Sequence, residues 1–279
     1  MAGSTMKLNE LGRMIDTLSN TAAMPVLFLG HGSPMNAIEE NEFVRGFRNI
    51  GKEIPAPTAI LCVSAHWETK GSFVTAMPHP PTIHDFGGFP QALFDVQYPA
   101  PGSPALAQET KDLVKKAAIG LDQQWGLDHG AWSVIKHLYP AANVPVIQMS
   151  LDYTYTPQQH YDLAKELAAL RKKGVLIIGS GNMVHNLRVI DWHNPNGGHD
   201  WAVTANDTLK KLIMKNDHQA LINYTKLGRE MVLSVPTPEH YLPLLYSLAL
   251  KEENESLSFF NDKTVMGSIS MTSFKIGMA

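Results

Sequence analysis

Val26-Leu27-Phe28-Leu29-Gly30-His31-Gly32-Ser33-Pro34 is a short, continuously apolar run closed by a turn that holds a histidine between two glycines. An uninterrupted apolar run of this length, bounded by Gly, is the pattern of a strand buried on both faces, as in parallel sheets. Two further stretches repeat it: Ala59-Ile60-Leu61-Cys62-Val63-Ser64-Ala65-His66-Trp67, and Val175-Leu176-Ile177-Ile178-Gly179-Ser180-Gly181-Asn182-Met183-Val184-His185-Asn186. In open α/β sheets, ligands sit outside the carboxyl ends of the strands. A histidine just past each of three strand ends places three imidazoles around one crevice.

Around these runs the chain alternates strand and helix signals. The first strand spans about 25–30 and the second about 58–64, with a helix through Phe43, Phe47 and Ile50 between them. Val144 to Ser150 reads as another buried strand, and Ser103-Pro104 as an N-cap and first helical position leading a helix through Leu106, Thr110, Leu113, Val114 and Ala117. A helix starts at Ala131 and runs to Leu138, another opens at Pro157 and stops at Gly174, helices cover about 201–226, and an apolar helix follows the turn at Pro236–His240. Thr264 to Ile276 alternates as a last strand, and 191–200 is a surface loop. The fold class is α/β: one domain with a central, mostly parallel sheet flanked by helices and a site at the carboxyl ends of the strands. Leu8, Leu11, Ile15 and Leu18 recur at helical spacing, so residues 1–24 read as an N-terminal helical extension and 25–279 as the catalytic domain.

With 44% hydrophobic and 18% charged residues in 279, the chain can bury a large core, and a formal charge of -3 favours neither nucleic acid nor an anionic membrane surface. No apolar stretch is long enough for a membrane helix, and the N-terminus lacks a signal-peptide core. The lone cysteine, Cys62, cannot form an internal disulfide and reads as a small buried hydrophobe; a cytoplasmic location is expected. The conspicuous count is histidine, at twelve.

His31, His66, His185 and His240 are 35, 119 and 55 residues apart. Local structural zinc modules use closely spaced pairs, so this spacing points instead to a catalytic centre built from several loops, with coordination positions left open. Imidazole suits Fe(II), Zn(II) and Cu alike, so the residue type alone does not choose the ion. His129 lies in a Gly-bounded turn before a helix. His84, followed by Asp85 and two glycines, lies in the long 76–104 loop with Phe86, Phe89, Phe94 and Tyr98, which is read as an ordered pocket wall. Gly179-Ser180-Gly181 lacks the spacing of a nucleophile elbow.

Seven motifs occur in order: Gly30-His31-Gly32-Ser33-Pro34, Ser64-Ala65-His66-Trp67, Thr82-Ile83-His84-Asp85-Phe86-Gly87-Gly88-Phe89-Pro90, Tyr98-Pro99-Ala100-Pro101-Gly102-Ser103, Asp128-His129-Gly130, Gly181-Asn182-Met183-Val184-His185-Asn186, and Thr237-Pro238-Glu239-His240-Tyr241-Leu242-Pro243. This series closely resembles the DOPA-type branch of the class III extradiol ring-cleaving dioxygenases, from about residue 25 to the C-terminus. The resemblance implies a metal held by His31, His66 and His240, with His185 at the metal centre or immediately beside it. In relatives that cleave protocatechuate the third ligand is a carboxylate. Here Glu239 adjoins His240, which puts His240 first and Glu239 in reserve.

The implied activity is metal-dependent insertion of both atoms of O2 into a catechol, with 4,5-cleavage of L-DOPA or a similar small molecule to a hydroxymuconate semialdehyde. Fe(II) is the ion for ring cleavage, and Zn(II) an alternative occupant. In that scheme His185 is the acid/base group, His129 a second one or a hydrogen-bond donor, and His84 and Phe89 border the substrate. The competing reading is a zinc hydrolase of a small amide or ester with Glu239 as its base.

Overall fold

A computed structural model describes residues 23–277. The helix expected around Leu8 to Leu18 lies outside the described residues. The strands are β1 (Val26–Gly30), β2 (Ala59–Thr69), β3 (Ser72–Thr75), β4 (Ile119–Asp122), β5 (Val146–Asp152), β6 (Val175–Gly181), β7 (Leu257–Phe260), β8 (Thr264–Val265), β9 (Ile269–Ser270) and β10 (Ser273–Ile276). The helices of eight residues or more are α1 (Glu42–Glu53), α2 (Pro104–Leu113), α3 (His129–Leu138), α4 (Pro157–Glu166), α5 (Asp200–Met214) and α6 (Leu242–Ala249).

Eight strands form one sheet in the order β4-β3-β5-β2-β6-β1-β10-β7. Its centre, β5-β2-β6-β1, is parallel throughout, and β10 and β7 extend it with antiparallel pairings. Both faces of the central strands are buried, which accounts for their unbroken apolar sequences. Alternate residues serve two cores. Phe28, Leu61, Ile147 and Ile177 pack with residues of α2, α4, α5 and α6 on one side. Leu27, Leu29, Ile60, Cys62 and Ile178 pack with Phe47 of α1 and Trp132 of α3 on the other. Each fully buried large aliphatic side chain stabilises by about 1.5–3 kcal/mol, so no single contact holds the sheet.

Four local features differ from the sequence reading. First, β2 runs on to Thr69, with a register shift against β5 between Val63 and Glu68, so His66 lies within a bulged strand rather than past its end. Second, Thr264 to Ile276 is not one strand. Met266 and Gly267, at φ 48° and 75°, turn the chain so that β8 pairs with β9, and only β10 joins the main sheet. Third, the helix begun at Pro104 ends at Leu113, where Val114 turns extended. Fourth, β3, β4 and β7 are short strands at the sheet's margins, and the sequence periodicity did not announce them.

β6 is inserted between β2 and β1, so three adjacent strands deliver His31, His66 and the His185 loop to one edge. The turn that carries His240 closes over the same edge: Asn182 N–H donates to the His240 carbonyl at 2.8 Å. Gly181 permits that approach, because a Cβ there would stand 2.2 Å from the His240 carbonyl oxygen. Backbone cannot yield to such a contact as a flexible side chain can. Gly181→Ala is expected to lower stability by roughly 1–3 kcal/mol and to displace His240. Urea unfolding and metal content of the purified variant check this together.

Candidate active site

His31 follows β1 directly. Its N–H continues the parallel ladder to the Gly181 carbonyl at 3.2 Å, and its carbonyl accepts from Asn36 Nδ2 at 3.0 Å. The bulge in β2 re-aims His66 toward it, as bulges beside active sites do. His240 arrives on the turn before α6. One ring nitrogen from each of His31, His66 and His240 fits within a span of 4.8 Å. His31 and His240 are buried, and the His31 and His66 Nε2 atoms are 3.1 Å apart.

The partners of the other ring nitrogens fix the tautomers. Ser180 Oγ donates its proton to the Gly130 carbonyl at 2.5 Å, so at His31 Nδ1, 3.1 Å away, it must accept. His66 Nδ1 faces Asp85 Oδ2 at 3.4 Å. His240 Nδ1 faces Glu239 Oε1 at 3.1 Å, and the same oxygen takes the Thr237 hydroxyl at 2.9 Å. Carboxylates only accept. The Nδ1 atoms of His31 and His240 therefore carry hydrogen, the carboxylate beside His66 Nδ1 favours the same tautomer there, and the three Nε2 atoms are then lone pairs. Two of these face each other, and buried His240 Nε2 has no hydrogen-bond partner. Converging bare lone pairs repel one another unless a cation lies between them, and a second ring nitrogen held by an acceptor is the usual setting of a metal-binding histidine. The residues thus fit a divalent ion, and Glu239 stands beside His240 as its hydrogen-bond acceptor.

Burial is also the main reason the imidazoles stay neutral. It draws His31 and His240 well below the usual histidine range, helped by their neighbouring histidines. It takes His66 down to about 3 despite the opposing pull of Asp85, and His185 to about 4 despite Glu239. Asp85 is pushed up by burial, but the hydrogen bonds and charge of His129 outweigh this and hold it low.

His129 is the first residue of α3, whose N-cap is the buried Asp128. Asp85 grips it twice, accepting its backbone N–H at 2.9 Å through Oδ1 and standing 2.9 Å from Nδ1 through Oδ2. The His129 ring lies 3.9 Å from that of His66. His185 stacks on His240 with centroids 3.5 Å apart and planes 8° from parallel. A ring nitrogen of His185 also falls within 4.8 Å of a ring nitrogen of His240 and a carboxylate oxygen of Glu239.

These imidazoles line one open cavity of about 990 Å³, walled by Phe86 and Phe89 on one side and by Ile190, Trp192 and Met271 on others. The sequence-predicted set His31, His66, His129, His185, His240 and Phe89 is thus brought together. His84 is not part of the lining: its Nε2 meets the Val96 carbonyl at 3.0 Å, and its ring packs against Phe86, Phe94 and Trp132. It props the wall from behind. Sequence reasoning did not assign roles to Asp85 and Ser180. The position of Asp85 between a histidine and an aromatic-glycine turn was the available signal, whereas Ser180 sits in an apolar strand without one.

The chain matches the family model described as the catalytic LigB subunit of aromatic ring-opening dioxygenase over residues 21–261. It is 46% identical over 267 residues to a 4,5-DOPA dioxygenase extradiol of Escherichia coli K12, covering 94% of this chain and 98% of that one. It is 34% identical over 254 residues to the protein of that name in Beta vulgaris, covering 89% and 94% of the two chains. The crystal structure of an uncharacterized Escherichia coli K12 protein superposes with a TM-score of 0.80 at 41% identity, covering 91% of this chain and all of that one.

Two outcomes follow from the hydrogen-bond network and the burial. Asp85→Asn loosens the His66 and His129 rings and Glu239→Gln that of His240, and each is expected to weaken divalent-ion affinity roughly 10- to 100-fold, read by competition with a chelator. In the metal-free protein, histidines held neutral by the fold would be protonated once unfolded. The unfolded chain then binds more protons, so stability falls as pH drops from about 6.5 toward 4, by about 1.4 kcal/mol per pH unit for each such histidine. The urea midpoint of metal-free protein at pH 7 and pH 5 measures it.

Proposed function

The chain belongs to the family of LigB-type catalytic subunits of aromatic ring-opening dioxygenases and is a metal-dependent extradiol dioxygenase, and from that premise we propose that it opens the ring of L-DOPA or a closely similar catechol by 4,5-cleavage. The observation that carries this reading is the convergence of three histidine ring nitrogens within 4.8 Å beside a cavity walled by Phe86 and Phe89. His31, His66 and His240 are the assigned ligands and Fe(II) the assigned ion. Three ligands from the protein would leave the rest of the ion's surroundings open to substrate. When bound, Fe(II) supplies the redox chemistry by which both oxygen atoms enter the ring.

The side chains of this chain do the rest. Phe86 and Phe89 pack against the ring and keep water from it. His185 is neutral at working pH, since burial lowers it to about 4, so it accepts the catechol proton and later returns it. Its stacking on His240 supports contact with substrate rather than with the ion. His129, with Nδ1 turned to Asp85, offers its free Nε2 as a second acceptor at the cavity surface. Orientation beside a fixed ion contributes much of the acceleration. The hydrolase reading is not favoured: Glu239, its required base, is engaged by His240 and Thr237.

Anaerobic Fe(II) reconstitution followed by L-DOPA and O2 is expected to give a yellow semialdehyde, with no turnover while O2 is withheld. Failure with L-DOPA and with simpler catechols refutes the assignment. His185→Ala is expected to lose roughly 10²- to 10⁴-fold in turnover, the usual scale for a general acid/base, with iron content retained. Loss of iron in proportion to activity would make His185 a ligand instead.

A further inference from the structure

The segment between β1 and the first turns of α1 gives the cavity a charged part of its lining. Glu39, Asn41, Glu42 and Arg45 all line it. Arg45 is the only lysine or arginine among the residues that do. Its guanidinium is 59% exposed and makes a single long contact, Nη1 to Glu40 Oε1 at 3.4 Å. Glu40 is held more closely by Arg48, at 2.5 Å, which leaves Arg45 open toward a ligand. Of the cavity's carboxylates, Asp85 is taken by His129 and His66, and Glu42 by Lys263 at 2.6 Å. Glu39 makes no side-chain hydrogen bond or ion pair with another described residue.

This charged wall is fastened to the histidine end. Asn36 Nδ2 donates to the His31 carbonyl at 3.0 Å, and Asn41 Nδ2 donates to Asn36 Oδ1 at 2.9 Å. Asn41 Oδ1 in turn caps α1 by accepting Val44 N–H at 3.0 Å. The chain that carries Glu39 and Arg45 is therefore held in register with the backbone of His31. Met35 and Phe43 supply apolar lining on the same segment.

We propose that Arg45 and Glu39 form a zwitterion subsite: Arg45 receives the α-carboxylate, and Glu39 the α-ammonium, of a catechol amino acid whose ring is held at the histidine end. A guanidinium matches a carboxylate in shape and charge, and a free carboxylate accepts from an ammonium. The subsite selects a catechol bearing both charges over one bearing either alone. This inference rests on the catechol reading above and names the part of the cavity that makes it specific.

Three probes separate the charges: L-DOPA, dopamine, which lacks the carboxylate, and dihydroxyphenylpropionate, which lacks the ammonium. Binding is measured by calorimetry on Fe(II)-loaded protein without O2, and turnover after O2 is admitted. Arg45→Met is expected to lower the L-DOPA-to-dopamine ratio of affinities, and of kcat/KM, roughly 10- to 100-fold, through KM more than kcat. Glu39→Gln is expected to lower the dopamine-to-dihydroxyphenylpropionate ratio in the same way. Equal affinity of the wild type for all three probes, or ratios unmoved by the substitutions, overturns the subsite. Charge-selective binding with no ring opening of any probe refutes the dioxygenase assignment while supporting the subsite. Absence of binding by all three refutes both.

Discussion

The centre depends on what holds the outer nitrogens of its imidazoles. Ser180 and Glu239 each occupy an Nδ1 and Asp85 stands beside the third, an arrangement that favours Nε2 atoms without hydrogen. An imidazole free to rotate or change tautomer would be half as useful, since either nitrogen could carry the proton. Here the choice is made by acceptors that are themselves committed. The Ser180 proton is spent on the Gly130 carbonyl, and Glu239 is steadied by Thr237. Two of the three acceptors are carboxylates, so their charges offset that of a divalent ion in a region from which water is mostly excluded.

Asp85 extends this control to the substrate side. A single oxygen, Oδ2, stands near Nδ1 of both His66 and His129. One imidazole turns its other nitrogen to His31 and the other lines the cavity, and one carboxylate stands beside both. The aromatic loop that carries Asp85 also supplies Phe86 and Phe89, so the wall of the pocket and the orientation of two histidines are fixed by the same stretch of chain.

Much of this was readable in the sequence where local pattern and tertiary role coincide. The runs ending at His31 and His185 are apolar because they are buried on both faces, and a buried strand shows itself by composition. His240 lay outside that logic, since a turn has no periodicity, and only the ordered motifs singled it out. The bulge that redirects His66 was illegible because Val63-Ser64-Ala65-His66 carries no Gly or Pro to mark a break. The division of Thr264 to Ile276 was hidden for a like reason: Met266 takes a left-handed conformation that its residue type disfavours. Asp85 and His129 are 44 residues apart, and pairing over such a distance leaves no trace in either neighbourhood.

The insertion of β6 between β2 and β1 also governs the order in which the molecule can come into being. β1 and β2 are made early, yet they are not neighbours, and each exposes an unsatisfied edge until the strand that separates them arrives. At about 5–20 residues per second of synthesis, β6 follows β1 by roughly 7 to 30 seconds, and the turn with His240 comes later still. The nascent chain holds His31 and His66 without the strand that aligns them. The imidazoles can converge only in a nearly finished molecule, in which the acceptors beside their Nδ1 atoms are already in place.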